Sequence, residues 1–195
     1  MTMHKPDVRK ANPCPPCPPE ASSWERLIYW LGIGLGSGLP KRAAGTWGTV
    51  GGLLVGIGLS WLGFWGFLAI TVAGGLVGSY ICGKTSDLMG VHDDPHIVFD
   101  EWVGMWITLL ALKYCYQFDP LNSMSHYRID TWFGMWQWGH LLMAFVLFRF
   151  FDISKPFPIK WVDRHVGGGF GILIDDVLAG VMAAIVFIGL MFIII

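Results

Sequence analysis

The chain has 195 residues and a net charge of −1, and 54% of its residues are hydrophobic but only 14% are charged, against about 25% in an average soluble domain. This composition excludes a disordered chain, a coiled coil, a collagen-like repeat and a strongly basic nucleic-acid-binding protein. It favours a small integral membrane protein with a single folded domain.

The first 23 residues form a segment rich in proline with scattered charges and no apolar core of a signal peptide. This composition predicts a disordered, partly polyproline arm over 1–23, followed by one domain over 24–195. Cys14 and Cys17 form a single CxxC among prolines. A flexible tail is favoured over zinc or redox chemistry, because a second CxxC is missing.

Residues 24–39 form the first apolar segment, which is short and rich in glycine. We expect an interfacial or re-entrant helix here rather than a span, because a membrane crossing needs about 20 residues.

The rest of the chain carries apolar segments that predict an all-α, polytopic helical bundle. The uncharged stretch from Thr49 to Cys82 is too long for one span, and Gly63 and Gly66 near its middle predict a tight hairpin. The five predicted spans are 48–64, 66–83, 102–116, 132–148 and 177–195.

Lysine and arginine predict the orientation of these spans. Eleven of the 13 Lys and Arg residues fall in 1–47, 84–101 and 149–176, which five spans place on one side. The positive-inside rule makes that side cytoplasmic, so the C-terminus should face outwards.

Acidic residues collect on the same side. Asp100-Glu101 and Asp175-Asp176 are adjacent pairs at the predicted starts of two spans, and Asp152 follows the end of another predicted span, 132–148. Two pairs from different helices with Asp152 favour one oxygen-rich Mg²⁺ site. Helix N-capping is the alternative, because carboxylates also favour helix N-termini.

Arg149, Asp152 and Lys155 are spaced i, i+3 and i+6, which on a helix places them on neighbouring faces before Pro156 ends it. One acid between two cations can hold a metal and a phosphate together. A local salt-bridge ladder is the alternative.

Two glycine-rich stretches lie beside these residues. Residues 45–49 precede a predicted span and offer backbone N–H groups to an anion, and residues 167–171 allow close backbone approach. Packing between membrane helices explains glycines equally well. Among the histidines of this side, His92 is the best candidate for proton transfer because it lies beside the acidic loop.

Taken together, these motifs resemble the phosphatidylglycerophosphatase A family over about residues 24–189. The matching text is GTWG at 45–48, GVHDD at 90–94, IVFDEWVGMWITL at 97–109, FRFFDISKPFPI at 148–159 and DRHVGGGFGILIDDVLAG at 163–180. The proline-rich arm lies outside the resemblance.

The resemblance implies Mg²⁺-dependent hydrolysis of the terminal phosphate monoester of phosphatidylglycerophosphate, an anionic phospholipid, in phospholipid biosynthesis at the bacterial inner membrane. Carboxylates would hold one or two Mg²⁺ and form the catalytic set, and other residues would bind the phosphoryl oxygens. The predicted metal and catalytic residues are Asp100, Glu101, Asp152, Asp175 and Asp176. The predicted phosphate-binding residues are Thr46, Arg149, Lys155 and Arg164.

Direct attack by water and a phosphoaspartate intermediate both remain open, whereas a phosphocysteine is disfavoured because no cysteine is followed by arginine six residues on. An ion-coupled transporter and a non-catalytic membrane subunit are the competing functions. A lipid synthase of the phosphatidyltransferase class is disfavoured, because its acidic signature is missing.

Overall fold

A computed structural model describes residues 13–118 and 135–194, and within those ranges the chain forms helices and no strand. This confirms the all-α prediction. The α-helices are α1 (Ser23–Gly32), α2 (Ala44–Leu59), α3 (Gly63–Met89), α4 (Phe99–Phe118), α5 (Met135–Ser154), α6 (Ile159–His165) and α7 (Gly168–Ile194), and short 3-10 turns cover Gly34–Gly36 and Ser60–Leu62.

Helix α4 is the centre of the bundle. It packs against α2, α3, α5 and α7, and most of its side chains are buried, with Met105, Trp102 and Trp106 in the core. A helix that is buried on every face is apolar all round. The polar residues at its first turn therefore stand out from the rest of its sequence.

Helices α4 and α7 cross at two glycines, Gly104 and Gly180. A Cβ atom added at Gly180 would lie 2.4 Å from the Gly104 carbonyl oxygen, and one added at Gly104 would lie 2.6 Å from the Asp176 carbonyl oxygen. The backbones approach this closely only because neither residue has a side chain. Asp100 and Asp176 each precede a crossing glycine by four residues, about one helical turn, so the crossing brings their side chains together.

Helix α2 packs on α4 through glycines spaced four residues apart. Cβ atoms added at Gly48 and Gly52 would lie 2.5 Å from the Val98 side chain and 2.8 Å from the Trp102 backbone, respectively. The indole of Trp106 donates a hydrogen bond of 3.0 Å to the Gly52 carbonyl. This contact places the first turn of α2 beside the first turn of α4.

Two helical stretches are long and apolar enough to cross a membrane. They are Ala44–Met89, which joins α2 and α3 through a short 3-10 turn, and Gly168–Ile193. Five spans therefore remain a prediction, although each predicted span coincides with a helix; residues 132–134 and 195 lie outside the described residues. The α1 helix has 10 residues, about 15 Å of helix, which is shorter than the hydrocarbon core of a bilayer.

The start of α7 differs from the sequence-based prediction. The helix begins at Gly168 instead of 177, so Asp175 and Asp176 lie two turns inside it rather than at its start. Gly169 explains the early start: an added Cβ would lie 2.1 Å from the Ser79 carbonyl of α3. The glycines therefore continue the helix along α3 instead of forming a loop.

Part of the proline-rich arm lies against α1. Residues 13–22 run as a non-helical segment, and the Tyr29 hydroxyl donates a hydrogen bond of 2.6 Å to the Pro15 carbonyl. The Arg26 guanidinium donates to the Pro19 carbonyl at 2.7 Å. Residues 1–12 of the arm lie outside the described residues, and Cys14 and Cys17 carry free thiols.

Candidate active site

Three carboxylates, which we name the acid cluster, meet where α4 and α7 cross: Asp100, Glu101 and Asp176. Each offers an oxygen atom, and these atoms all lie within 4.8 Å of one another. The three residues are 5 to 9% exposed. Asp152, at the end of α5, interacts electrostatically with all three. The predicted meeting of acids from different helices is therefore observed for these four residues.

The acid cluster has more oxygen atoms than donors. Within the described residues, Glu101 Oε2 is buried without a hydrogen-bond partner, and Asp100 Oδ1 accepts a hydrogen bond of 3.0 Å from the Glu101 backbone amide. Burial raises the pKa of the Asp100 carboxyl group. It also raises that of Glu101, where the charge of Asp100 adds to the effect. A cluster of this kind is stabilised by a cation, and its all-oxygen donor set fits Mg²⁺.

Arg149 connects the acid cluster to the first turns of α2. Its guanidinium donates to the Thr49 hydroxyl at 3.4 Å and to the Thr46 hydroxyl at 3.5 Å, and it forms an ion pair with Asp152. The predicted phosphate-binding residues Thr46 and Arg149 are thus brought together. A planar guanidinium held in this way is suited to two oxygens of one phosphate.

The N-terminus of α2 lies beside Arg149 and the acid cluster. A Cβ atom added at Gly45 would lie 2.6 Å from Glu101 Oε1 and 3.5 Å from Arg149 Nη1. The N-cap residue of this helix is Ala43, and no side-chain cap hydrogen bond is found there among the described residues. Its first amide N–H groups are therefore available to an anion beside Arg149. Sequence reasoning identified the glycine loop but not the contact of Gly45 with Glu101.

We expect Gly45→Ala to reduce turnover by about 10- to 100-fold, because the new methyl group overlaps the Glu101 carboxylate and shifts a group of the site. The matched control is Gly58→Ala in the same helix, where an added Cβ meets nothing within 4 Å. The control should retain activity and gain up to about 1 kcal/mol of stability from helix propensity. Equal activity of the two variants in a steady-state assay would contradict the prediction.

Lys155 lies outside the helix that the sequence predicted for it. Helix α5 ends at Ser154, before Pro156 as expected, and Lys155 has a φ of 41°. Its amino group pairs with Asp163 at 2.8 Å and with Asp175 at 2.7 Å. The prediction that one helix carries all three residues is therefore wrong for Lys155, because the chain turns at that residue, whereas Arg149 and Asp152 form an ion pair within α5.

Asp175 faces Lys155 rather than the acid cluster. Its Oδ2 atom forms the ion pair, and its Oδ1 atom is buried without a partner in the described part of the chain. Neighbouring helical residues diverge by about 100°. Since Asp176 points into the cluster, Asp175 points towards α6, and the two members of this pair have separate surroundings.

A cavity of about 660 Å³ lies beside Lys155. It is lined by Asp93, Ile153, Ser154, Lys155, Lys160, Asp163 and Arg164. Arg164, predicted to bind phosphate, lies in this cavity. Sequence reasoning did not select Asp93, whose charge acts on Asp100 and whose φ of 55° is unusual for aspartate. The acidic GVHDD loop was its only signal in the sequence.

The loop histidines have separate partners. His92, the predicted proton-transfer candidate, accepts a bond of 3.4 Å from the Gly168 amide at the start of α7. His96 is 2% exposed and bonds to Asp94 at 2.6 Å. It is buried because residues 97–99 lead directly into the core.

Comparison with known proteins agrees with the motif pattern. The model of the family described as Phosphatidylglycerophosphatase A matches residues 30–191. A Haemophilus influenzae protein named phosphatidylglycerophosphatase A is 48% identical over 82% of this chain and 85% of its own. An Escherichia coli protein of the same name is 40% identical over 80% of this chain and 78% of its own. A Bacteroides thetaiotaomicron protein, named a putative phosphatidylinositol-3-phosphatase, is 34% identical over 82% of this chain and 90% of its own. No solved structure matches the chain.

Proposed function

Because the chain belongs to the phosphatidylglycerophosphatase A family and is a phosphatase, we propose that it hydrolyses the terminal phosphate monoester of phosphatidylglycerophosphate. The products are phosphatidylglycerol and inorganic phosphate, in phospholipid biosynthesis. One observation carries the proposal of a site: the acid cluster, Arg149 and the uncapped start of α2 surround the same point. Carboxylates for a metal and donors for a phosphate therefore stand side by side.

The acid cluster is the proposed Mg²⁺ site, with Asp100, Glu101 and Asp176 as its ligands. Asp152 lies beside the acid cluster, because it interacts electrostatically with Asp176. Its carboxylate forms an ion pair with Arg149. The predicted fifth acid, Asp175, belongs to the ion pair with Lys155 in this proposal. The chemistry that bound Mg²⁺ supplies is charge neutralisation on the phosphate and activation of a water molecule.

The cationic and neutral donors of this chain hold the reacting phosphate. Arg149 donates to two phosphoryl oxygens, and the Thr46 hydroxyl and the first amides of α2 add donors that carry no mobile charge. Lys155 is fixed by Asp163 and Asp175. Such fixed donors stabilise the transition state because they need no reorganisation during the reaction.

The outer surface of the bundle supports a membrane location. Large apolar side chains are exposed along α3 and α7, among them Leu76 at 78% and Ile193 at 81%, and such exposed apolar surface is typical of a membrane or protein contact. We propose a multi-pass protein of the bacterial inner membrane with the site at the cytoplasmic face. The two apolar helices and the bias of Lys and Arg to one side support this proposal.

The proposal is tested by phosphate release from phosphatidylglycerophosphate, using protein purified in a neutral detergent. We expect release with Mg²⁺, loss of release with EDTA, and recovery when excess Mg²⁺ is added back. Ca²⁺ added back at the same concentration is the control for ionic strength and charge screening. Activity that survives EDTA would refute the metal proposal. A folded protein without release at any Mg²⁺ concentration would refute the substrate and favour a transporter.

A further inference from the structure

The cavity beside Lys155 is an open polar pocket at the surface, since most of its lining residues are exposed. Its walls come from the loop before α4, the end of α5 and helix α6. Two residues join it to the reaction site. Lys155 lines the cavity and pairs with Asp175, the neighbour of Asp176, and Asp93 lines the cavity while its charge acts on Asp100.

The cations of this cavity differ in what surrounds them. Lys155 is held by two carboxylates, whereas Lys160 and Arg164 form no ion pair with any residue in the described ranges. Lys160 and Arg164 are four residues apart on α6 and therefore share a face of that helix. Asp93 and Asp163 also line the cavity, and Asp163 pairs with Lys155. Within the described ranges, Lys160 and Arg164 therefore keep their charges available to bind a phosphate.

The proposed substrate carries two phosphates of different kinds. One is the terminal monoester that is hydrolysed, and the other is the phosphodiester that links the glycerol headgroup to diacylglycerol. Arg149 and the acid cluster account for the monoester, and the second phosphate needs other cations beside that site, in the cavity that Asp93 and Lys155 share with its surroundings. The adjoining cavity supplies them.

We propose that Lys160 and Arg164 bind the phosphodiester of the substrate, so that this cavity selects lipids with both a diester and a terminal monoester. This inference rests on the proposed function and deepens it. Phosphatidic acid, whose only phosphate is a monoester, gains nothing from Lys160 and Arg164 when that monoester occupies the reaction site. The enzyme therefore discriminates between the two lipids by a difference in binding energy at the cavity.

The test compares the double variant Lys160→Gln/Arg164→Gln with the natural protein on two short-chain lipids in neutral micelles. For phosphatidylglycerophosphate, kcat/KM should fall by at least about tenfold, on the scale of lost charge-assisted hydrogen bonds. For phosphatidic acid it should stay within about twofold. The matched control is Arg26→Gln/Lys84→Gln, which removes the same charge from residues that do not line the cavity, and Arg164→Lys should retain most of the preference.

Two outcomes would overturn the proposal. An equal loss on both lipids would show that Lys160 and Arg164 serve the reacting phosphate or the micelle surface. An unchanged kcat/KM on both lipids would show that they bind nothing in the substrate.

A binding measurement separates this proposal from the proposed function. Short-chain phosphatidylglycerol carries the diester without the monoester, so its Kd can be measured in EDTA without turnover. We expect at least about tenfold weaker binding to the double variant than to the control variant. Equal Kd values would overturn the role of the cavity. If the natural protein released phosphate from neither lipid, the proposed function would fail, and this binding result would still decide the role of the cavity.

Discussion

Replacing Asp176 by asparagine should lower phosphate release by at least about 100-fold while leaving the protein folded. Asparagine keeps the shape of the side chain but removes a negative charge from the acid cluster, whose oxygens lie within 4.8 Å of one another. Loss of a residue that merely supports a metal ligand lowers metal affinity or activity by about 10- to 100-fold, and loss of a ligand itself should lower activity at least as much. The measurement is kcat/KM at saturating Mg²⁺.

The same change should not reduce stability in the absence of metal. Three buried carboxylates repel one another, so neutralising one of them relieves repulsion. We expect the melting temperature of Asp176→Asn in EDTA to equal or exceed that of the natural protein. A lower melting temperature together with lost activity would show a structural role instead.

Two further variants make the result specific. Asp87→Asn removes the same charge from an exposed position at the end of α3 and should retain full activity. Asp175→Asn changes the neighbouring residue, which pairs with Lys155, and should cost less than Asp176→Asn. Equal losses at Asp175 and Asp176 would contradict the separation of the two carboxylates.

The separation of Asp175 from Asp176 shows what the sequence could not provide. Motif spacing predicted that acids from different helices would meet, and Asp100, Glu101 and Asp176 do meet. Which member of an adjacent pair points into the site depends on the rotation of the helix, and one residue corresponds to about 100°. That rotation is fixed by the contact between Gly104 and Gly180, a tertiary contact that local patterns do not contain.

The helices were more predictable than the contacts between their ends. Apolar segments predicted the main helices of the bundle because burial or lipid exposure requires long apolar runs. The sequence predicted residues 45–49 as an anion-binding loop, but it predicted neither the approach of Gly45 to Glu101 nor the effect of Asp93 on Asp100, because each joins two separate segments of the chain. Lys155 was misplaced because its backbone turns at a φ of 41°, although proline correctly predicted the end of α5.

The acid cluster also makes stability depend jointly on pH and on Mg²⁺. Burial raises the pKa of the Asp100 and Glu101 carboxyl groups in the folded protein. Above pH about 4, the ordinary range of these groups, the folded state therefore binds more protons than the unfolded state. The metal-free protein should then lose stability as pH rises through the raised pKa values, because stability falls wherever the folded state holds the extra protons.

Mg²⁺ should reverse this loss, because it binds the ionised carboxylates and competes with their protons. We expect the increase in melting temperature on adding Mg²⁺ to be larger at pH 8 than at pH 5.5. At 100 times Kd, stabilisation should reach about 2.7 kcal/mol. Tryptophan fluorescence measures the transition, with NaCl at matched ionic strength as control. An equal shift at both pH values, or the same shift in Asp100→Asn, would place Mg²⁺ outside the acid cluster, because only binding to these carboxylates couples its effect to their protonation.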